Sequence, residues 1–359
     1  MTTAPAPAGR ATETPGDLRN LRSGKFSRFI SLTGIYFIAA LFVALGFGLQ
    51  AAGIIQNFAS AQNFINIIDN VSLIGIVAVG MSFVTFSGNM TDLSVPTTMA
   101  ITGIVAVDAL SFGFWPAIAA AFAVGLVIGL ANALVIGRFK ANPIIWTLAV
   151  NYVTMGVIRF VWVNKQIYPD TKASTVAVSQ AFDSIYRLEI FKDVGGNELL
   201  NLRLPLVMML ALVVIGQLVL TKTSFGAQLK LTGSARKAAK FSGVNVELVA
   251  GLAFVICSLT ATLGGLAVTS LSRVGAWYNG AGYDFRAVTA VVIGGMSLSG
   301  GRGSIVGVLG GVLVIGLINN IMTLIGLPTL SQDMVRGAIF IVVVGINAKS
   351  LRSLGRDDK

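Results

Sequence analysis

Residues Thr221 to Glu247 read TKTSFGAQLKLTGSARKAAKFSGVNVE and lie between two long apolar runs. These runs, Leu204 to Leu220 and Leu248 to Leu271, are each long enough for a helix that crosses a bilayer. The segment between them holds five basic residues and a single acid, Glu247. Because basic connectors between membrane spans stay in the cytoplasm, the pattern predicts an all-α polytopic membrane protein with a cytoplasmic loop at 221–247.

The middle of this loop has the composition of a short helix. Glycines flank the run SARKAAKFS, whose Ala, Lys and Arg residues favour helix. Ser234 is a candidate N-cap and Gly243 a candidate stop. A basic helix that faces the cytoplasm suits docking of a partner protein, whereas the alternative is a solvated loop that only fixes the topology.

The composition excludes several classes of protein. With 55% hydrophobic and 11% charged residues in 359, and a mean hydropathy of +0.81, the chain has too few polar side chains to cover a soluble globule. The net charge of +11 lies mainly beside apolar runs, where it orients the chain in the bilayer, so we predict no nucleic-acid partner. Histidine is absent and Cys257 is the only cysteine, which excludes His-based catalytic triads, His-ligated metals and intrachain disulfides. We therefore predict neither a metal site nor an enzyme.

The apolar runs and the charged connectors predict about ten transmembrane helices, some broken or re-entrant, with both termini in the cytoplasm. Residues 1–28 form a predicted disordered cytoplasmic tail, and 350–359 form a second cytoplasmic tail. A loop at 164–203 carries five bases and five acids, a balance that suits the outside. Spans are predicted at about 29–49, 71–87, 93–110, 115–136, 143–163, 204–220, 248–271, 287–296, 305–325 and 334–346. Segments 50–70 and 273–286 are predicted outside, the second with Trp277, Tyr278 and Tyr283 as interface aromatics.

A short polar break separates the second and third spans and contains Asp92. It has no basic residue, so we expect it within or near the bilayer. Asp92 either caps the third span by accepting from free N–H groups or lines a route for a solute, and the two roles are compatible. Asn319 and Asn320, deep in a later apolar run, would prefer a helix neighbour or a wet cavity to lipid.

Glycines are dense from Ala287 to Ile325. The first apolar piece is too short to cross a bilayer, so we expect a half-length helix, a turn at 297–304 and then a full span. Gly303, Gly307 and Gly311 recur every four residues and predict one flat helix face for close packing, as do Gly125 and Gly129 in the fourth span. A phosphate-binding loop is excluded because the chain has no G-x-x-x-x-G-K-[ST] motif.

Few ionisable residues lie inside the predicted spans, which disfavours a proton- or ion-driven carrier. A solute passage driven by an external energy source fits better. The residues alone do not name the class further.

Three ordered motifs resemble the permease subunits of ribose-type bacterial ABC importers, within the branched-chain amino acid/ribose permease superfamily. The segment from Ala290 to Gly307, AVVIGGMSLSGGRGSIVG, is similar to that family's signature. AAKFSGV at 238–244 is similar to the family's A-A-R-x-S-G helix, which a glycine precedes, and GNMTDLSV at 88–95 to its G-G-I-D-L-S-V. Lys240, Ser234 and Pro96 depart from the usual residues, which leaves the solute and the geometry of the break open.

The resemblance implies a permease domain at 29–349 in the bacterial inner membrane. It also implies a second permease copy, two cytoplasmic ATP-binding subunits that hold ATP and Mg, a periplasmic sugar-binding protein, membrane lipid around the spans, and no cofactor in this chain. The imported solute would be a monosaccharide. The implied residues are, for ATPase coupling, Gly233, Arg236, Lys237, Ala238, Ala239, Lys240, Ser242 and Gly243; for the translocation path, Asn89, Asp92, Ser94, Asn319 and Asn320; and for helix packing, Gly294, Gly295, Gly300, Gly301, Gly303, Gly307 and Gly311.

Within this picture Arg236 and Lys237 would contact the ATPase, while Ala238 and Ala239 would allow close approach. A bulky residue at Ala239 is then expected to uncouple ATP hydrolysis from uptake and to leave assembly largely intact. Two alternatives stay open, a related permease for nucleosides or branched-chain amino acids, and an ATP-independent carrier or channel.

Overall fold

The computed structural model describes residues 34–163, 165–192 and 198–354, with side chains described outside 187–202 and 346–354. The tail predicted at 1–28 lies outside these ranges. Of the second predicted tail, residues 355–359 lie outside them, whereas 350–354 continue the last helix to Leu354.

The described residues are mainly α-helical. Their elements are α1 Gly34–Ala51, α2 Ala61–Phe86, α3 Val95–Asp108, α4 Phe114–Asn132, α5 Pro143–Trp162, α6 Pro169–Lys172, α7 Val176–Asp183, β1 Arg187–Lys192, β2 Glu198–Arg203, α8 Leu204–Lys222, α9 Ser224–Ser234, α10 Arg236–Phe241, α11 Val246–Ser272, α12 Tyr283–Ile293, α13 Ile305–Leu324 and α14 Thr329–Leu354. A 3₁₀ turn at Ala109–Phe112 extends α3, and a π-helical turn at Ala133–Arg138 extends α4. The strands pair antiparallel in the long loop before α8, a small addition to the predicted all-α fold.

Eight of these helices are long and apolar enough to cross a membrane: α1, α2, α3 with its 3₁₀ turn, α4 with its π turn, α5, α8, α11 and α13. The 11-residue α12 and the 26-residue α14 bring the described bundle to ten segments. At 1.5 Å per residue α12 is about 16 Å long, about half of a bilayer core of about 30 Å. The ten predicted segments are therefore all helices in the structure, eight of them long and apolar enough to cross a membrane, and the predicted half-length helix is confirmed.

Helices α2, α3, α11 and α13 form the centre of the bundle. Their most apolar stretches are 83%, 67%, 67% and 78% buried, against 17% for α1 and for α5. The outer helices α1, α4, α5 and α8 are apolar on their exposed sides as well, as expected for helices that face lipid on one side and protein on the other. The polar residues that matter for function are therefore to be sought on the central helices.

Small residues allow the outer helix α4 to pack closely on α11. A β-carbon built on Gly125 would lie 2.0 Å from the hydroxyl oxygen of Thr262, and one on Gly129 would lie 3.0 Å from the Cα of Val255. The Ser258 hydroxyl also donates to the Gly125 carbonyl over 2.6 Å. The predicted close approach at Gly125 and Gly129 is confirmed.

Glycines also bring α12 and α13 together. A β-carbon on Gly311 would lie 2.0 Å from the Ala290 carbonyl oxygen, and one on Gly294 would lie 2.6 Å from the Gly307 carbonyl oxygen. Gly303 precedes α13 and has φ +129°, so it does not share a helix face with Gly307 and Gly311 as predicted. The strip is shorter because the helix begins only at Ile305, after the Ser304 N-cap.

Two segments predicted outside lie partly within the bundle. Helix α2 begins at Ala61, ten residues before the predicted span, and only residues 52–60 connect it to α1. Its early polar residues are accommodated because some find partners inside the bundle, as Asn63 does. Tyr283 is buried in the first turn of α12, so its predicted place as an interface aromatic is wrong.

The start of α1 lies at one end of the bundle, which we call the basic end and define by Arg138, Lys140 and residues 221–247. The Tyr36 hydroxyl at the start of α1 donates to the Val306 carbonyl at the start of α13 over 2.8 Å. The start of α13 in turn donates to Gln217, near the end of α8. Helix α14 begins at the opposite end, where Arg336 donates to Asn319 near the end of α13. That the basic end is cytoplasmic stays a prediction from charge.

Candidate functional site

The basic loop folds into two helices, α9 and α10, separated by an extended residue, Ala235, with φ −153° and ψ 80°. The Thr223 hydroxyl caps α9 by accepting from the Gly226 amide over 3.1 Å. Ser234 is the last residue of α9, and α10 begins after Ala235 without a side-chain cap. The single helix with Ser234 as its N-cap was therefore a wrong prediction, because Gly233 and Ser234 extend the preceding helix.

Helix α10 ends at a Schellman motif. The Val244 amide donates to the Ala239 carbonyl and the Gly243 amide to the Lys240 carbonyl, each over 3.0 Å. Gly243 has φ +79°, a conformation that costs glycine no steric energy. Its predicted role as the helix stop is confirmed.

The outer surface of α10 combines charge with one large apolar side chain. Arg236, Lys237 and Ala238 are exposed, and Phe241 is 93% exposed. Lys240 is exposed too, but it pairs with Glu247 over 2.8 Å. We call Arg236, Lys237 and Phe241 the exposed face of α10.

Ala239 points the other way and is completely buried. It therefore cannot offer a close-approach surface to a partner protein, and the expectation that a bulky residue there leaves assembly intact is wrong. A larger side chain would have to displace the chain's own neighbouring residues. The exposed Ser242 and Gly243 lie at the end of α10, beside the exposed face.

The three sequence motifs meet at a cluster of glycines, which we call the glycine junction: Gly88, Gly233, Gly300 and Gly301. A β-carbon on Gly300 would lie 2.7 Å from the Cα of Gly88 and 2.9 Å from the Cα of Gly233. One on Gly301 would lie 1.9 Å from the Ser234 hydroxyl oxygen. The backbones of the α2–α3 connection, of α9 and of the α12–α13 connection therefore touch directly.

A backbone hydrogen bond closes the junction. The Gly301 amide donates to the Phe86 carbonyl at the end of α2 over 2.9 Å. Gly300 and Gly301 have φ of +85° and +69°, so the turn requires glycine for its conformation as well as for space. Gly300 and Gly301, predicted as helix-packing residues, thus pack against the end of α2, the α2–α3 connection and the end of α9. No pattern in the sequence indicated that Gly88 and Gly233 belong to the same cluster.

Asp92 lies a few residues beyond Gly88 and is fully buried. Its Oδ1 accepts from the Ser94 amide over 2.9 Å and from the Ser94 hydroxyl over 2.6 Å. Ser94 is the N-cap residue of α3, and the first turn of that helix receives no side-chain capping bond. Asp92 therefore accepts from the residue before the helix and not, as had been predicted, from the free N–H groups of the helix. Asn89 is also buried, and its amide donates to Ser87 over 2.7 Å.

Polar side chains connect the α2–α3 break to helices α4 and α5. The Asn132 side-chain amide on α4 donates to the Ser94 hydroxyl over 3.0 Å, and Asn132 accepts from the Trp146 ring on α5 over 3.0 Å. The Leu93 amide donates to the Thr147 hydroxyl over 3.0 Å. Sequence reasoning missed Asn132, although an asparagine inside an apolar run is itself a signal of a polar partner.

The start of α12 lies beside the start of α3. A β-carbon on Gly280 would lie 2.0 Å from the Pro96 carbonyl oxygen, so the connection before α12 packs on the first turn of α3. This places Asp284, only 9% exposed, in the interior. Asp284 belongs to the segment 273–286 that was predicted to lie outside. Among the described residues no three His, Cys, Asp or Glu side chains are grouped to hold a metal ion.

Asn319 and Asn320 lie at the other end of α2. Asn320 exchanges two hydrogen bonds with Asn63, of 3.2 and 2.7 Å, and Asn319 accepts from Arg336 over 2.9 Å. Asn320 thus has the helix neighbour that was predicted. From Asn63 to the end of α2 is about 35 Å at 1.5 Å per residue, so the structure does not bring these asparagines together with Asp92.

Comparison with known proteins gives consistent matches over most of the chain. Residues 63–344 match the family described as branched-chain amino acid transport system / permease component. The chain is 33% identical to the ribose import permease protein of Bacillus subtilis over 301 residues, 82% of this chain and 87% of that protein. It is 31% identical to the L-arabinose transport system permease protein of Escherichia coli, over 93% of this chain and 95% of that protein. An L-arabinose ABC transporter permease protein of Azospirillum brasilense is 30% identical over 81% of each chain.

No solved structure gives a significant match. The glycine junction, the exposed face of α10 and the Asp92 network are therefore described from this structure alone.

Proposed function

We propose a function from one premise, that this chain belongs to the family of permease components of branched-chain amino acid transport systems. The relatives named above are permeases for ribose and for L-arabinose. We propose that this chain is the membrane subunit of an ABC importer and that its solute is a monosaccharide. Separate ATP-binding subunits would supply the energy, and a periplasmic binding protein would deliver the sugar.

The observation that carries the proposal is the glycine junction. It joins α9, and through Ala235 the exposed face of α10, to the connection that leads to Asp92. A displacement of α10 by a partner therefore acts on the start of α3 through touching backbones, with no flexible side chain between them. Packed backbones transmit such movements as rigid bodies.

The exposed face of α10 is the proposed contact with the ATPase. Arg236 and Lys237 supply charge, and Phe241 supplies an apolar side chain that would be costly to leave in water. Gly233 would allow the close backbone contact at the glycine junction, and Ala238 would lie in the contact with the ATPase. The buried Ala239 would pack α10 against the bundle, and Lys240 would hold the helix in place through its ion pair with Glu247. Ser242 and Gly243 would end it.

Asp92, Asn89 and Ser94 are proposed to act along the translocation path. All three are buried within one copy of the chain. Their contact with a solute would therefore need an opening between copies or a movement at the junction. Asn319 and Asn320 would contact a solute at a different depth of the bundle, near the start of α2.

Reconstitution tests this function. The purified chain is placed in liposomes alone, or with the ATPase and binding protein encoded nearest to it, and uptake of labelled ribose, L-arabinose, leucine and adenosine is measured. We expect monosaccharide uptake only with all components and ATP. Uptake of leucine or adenosine instead would point to another member of the family, and uptake by the chain alone would overturn the proposal.

Labelling tests the sidedness. In a Cys257→Ser background, Lys237→Cys is treated with a membrane-impermeant maleimide in intact cells and in inverted vesicles. Lys165→Cys, in the exposed loop at the opposite end, is the matched control. We expect Lys237→Cys to react only in inverted vesicles and Lys165→Cys only in cells. The reverse pattern would place α10 beyond the reach of a cytoplasmic ATPase.

A further inference from the structure

A groove of about 660 Å³ runs along the outer side of the bundle at the basic end, between α4 with its π turn and α11. Its walls are mainly leucines with large exposed fractions, 52% for Leu130, 55% for Leu134 and 58% for Leu248. Two cations, Arg138 and Lys140, line its end. The groove is therefore apolar along its length and positive at its mouth.

The shape of the groove follows from the local backbone. The π turn at Ala133–Arg138 ends α4 with a wider helical turn. Next to it the helices touch, since a β-carbon on Gly137 would lie 2.7 Å from the Glu247 carbonyl oxygen and one on Gly251 would lie 3.1 Å from the Ala133 β-carbon. This contact forms the floor, and the leucines rise on either side of it.

Positive charge exceeds negative charge at the mouth of the groove. Among the described side chains neither Arg138 nor Lys140 forms an ion pair, while the acid that lines the groove, Glu247, pairs with Lys240 over 2.8 Å and also attracts Lys140. Both cations are exposed. The groove therefore carries a net positive charge beside an apolar channel.

We propose that this groove binds one anionic phospholipid of the leaflet that contacts the basic end. Its phosphate lies between Arg138 and Lys140, and an acyl chain lies along Leu134 and Leu252. Basic pockets between transmembrane helices at the cytoplasmic side bind anionic head groups in this manner. From Glu247 to Val255 the lining of α11 extends about 12 Å along this candidate membrane span at 1.5 Å per residue, a course that suits an acyl chain better than a soluble partner.

The lipid would contact the basic loop as well. Lys140 also lines a second pocket, of about 670 Å³, together with Arg236, Lys237 and Lys240. A phosphate on Lys140 therefore lies beside α10. This second pocket lacks the leucines of the groove, and we assign it to the proposed ATPase contact. The lipid site uses neither the proposed translocation residues nor the solute, and it therefore does not depend on which solute is imported.

Native mass spectrometry of the full-length chain tests the proposal, with phosphatidylglycerol and phosphatidylcholine of identical acyl chains as probes. We expect tighter binding of phosphatidylglycerol. Arg138→Gln combined with Lys140→Gln should weaken it roughly 25-fold, at about fivefold for each basic residue removed near a membrane surface. The matched control, Lys222→Gln combined with Lys230→Gln, removes two exposed charges from the same end of the bundle outside the groove and should leave binding unchanged.

A charge-preserving pair, Arg138→Lys with Lys140→Arg, separates a folding defect from loss of charge and should bind as the parent chain does. Equal binding of both lipids, or equal losses in the glutamine pair and in the control, would overturn the proposal. Displacement by soluble glycerol phosphate would show an anion pocket without an acyl chain. That result would overturn the lipid site.

Discussion

Substitution of Gly233 by alanine is the sharpest test of the glycine junction. A β-carbon at this position would lie 2.1 Å from the Phe86 carbonyl oxygen and 2.6 Å from the Gly301 amide nitrogen. Those two atoms are the partners of the 2.9 Å hydrogen bond that closes the junction. The added methyl group is therefore wedged against both ends of that bond.

The magnitude follows from these distances. Contacts of a β-carbon shorter than 3.0 Å are essentially never seen, so the backbones at Gly233 and Phe86 must separate by at least 0.9 Å, the difference between 3.0 and 2.1 Å. Overpacking of this kind costs about 1–3 kcal/mol. Loss of the hydrogen bond adds about 1 kcal/mol. We expect Gly233→Ala to lower the free energy of unfolding by about 2–4 kcal/mol if both effects apply in full.

Two assays separate stability from coupling. Thermal unfolding of the purified chain measures its stability. The ratio of sugar imported to ATP hydrolysed, in liposomes with the ATPase subunits, measures the coupling. Gly156→Ala is the matched control, because a β-carbon there has nothing within 4 Å and alanine favours helix. We expect Gly233→Ala to lower both the unfolding midpoint and the import ratio, with Gly156→Ala unchanged or slightly more stable. A Gly233→Ala protein with the stability and import ratio of the parent would refute the junction as a mechanical contact.

Three further predictions concern single contacts. Phe241→Ala should weaken binding of the ATPase subunits at least fivefold without altering the unfolding midpoint. Phe160→Ala, also largely exposed but on a membrane-facing helix, should leave that binding unchanged. Equal affinities of the two variants in a pull-down titration would contradict the docking role. Asp92→Ala should destabilise the chain by about 1–3 kcal/mol because the buried amide and hydroxyl of Ser94 lose their acceptor. Asp92→Asn keeps an acceptor and should cost less. Equal unfolding midpoints for the two variants would count against this reasoning. Asn320→Leu should cost about 0.6–2 kcal/mol by removing the two bonds to Asn63, and an unfolding midpoint no lower than that of the parent would show that the pair adds no stability.

Much of the candidate site could be found in the sequence because it consists of local features. A basic run beside apolar runs predicted the connector, and Gly243 was identified as the helix stop because glycine tolerates a positive φ. The half-length α12 followed from the shortness of its apolar run. Each of these inferences depends only on residues close together in the chain.

Helix boundaries and the direction of side chains were harder to predict from the sequence. Helix α2 begins ten residues earlier than predicted, because Asn63 finds its partner on α13, 257 residues away. Ala239 was expected at a surface and is buried, because α10 turns at Ala235 and presents a different face. Asp284 was assigned to the outside and lies in the interior.

The sequence by itself determined the class of protein, since a mean hydropathy of +0.81 and charged connectors between apolar runs permit few folds other than a membrane-spanning helical bundle. It also supplied the three motifs. Only the tertiary structure decided that Gly88, Gly233 and Gly300 touch. Contacts between residues more than sixty positions apart depend on how the helices pack, and a glycine in a sequence does not reveal which distant backbone approaches it.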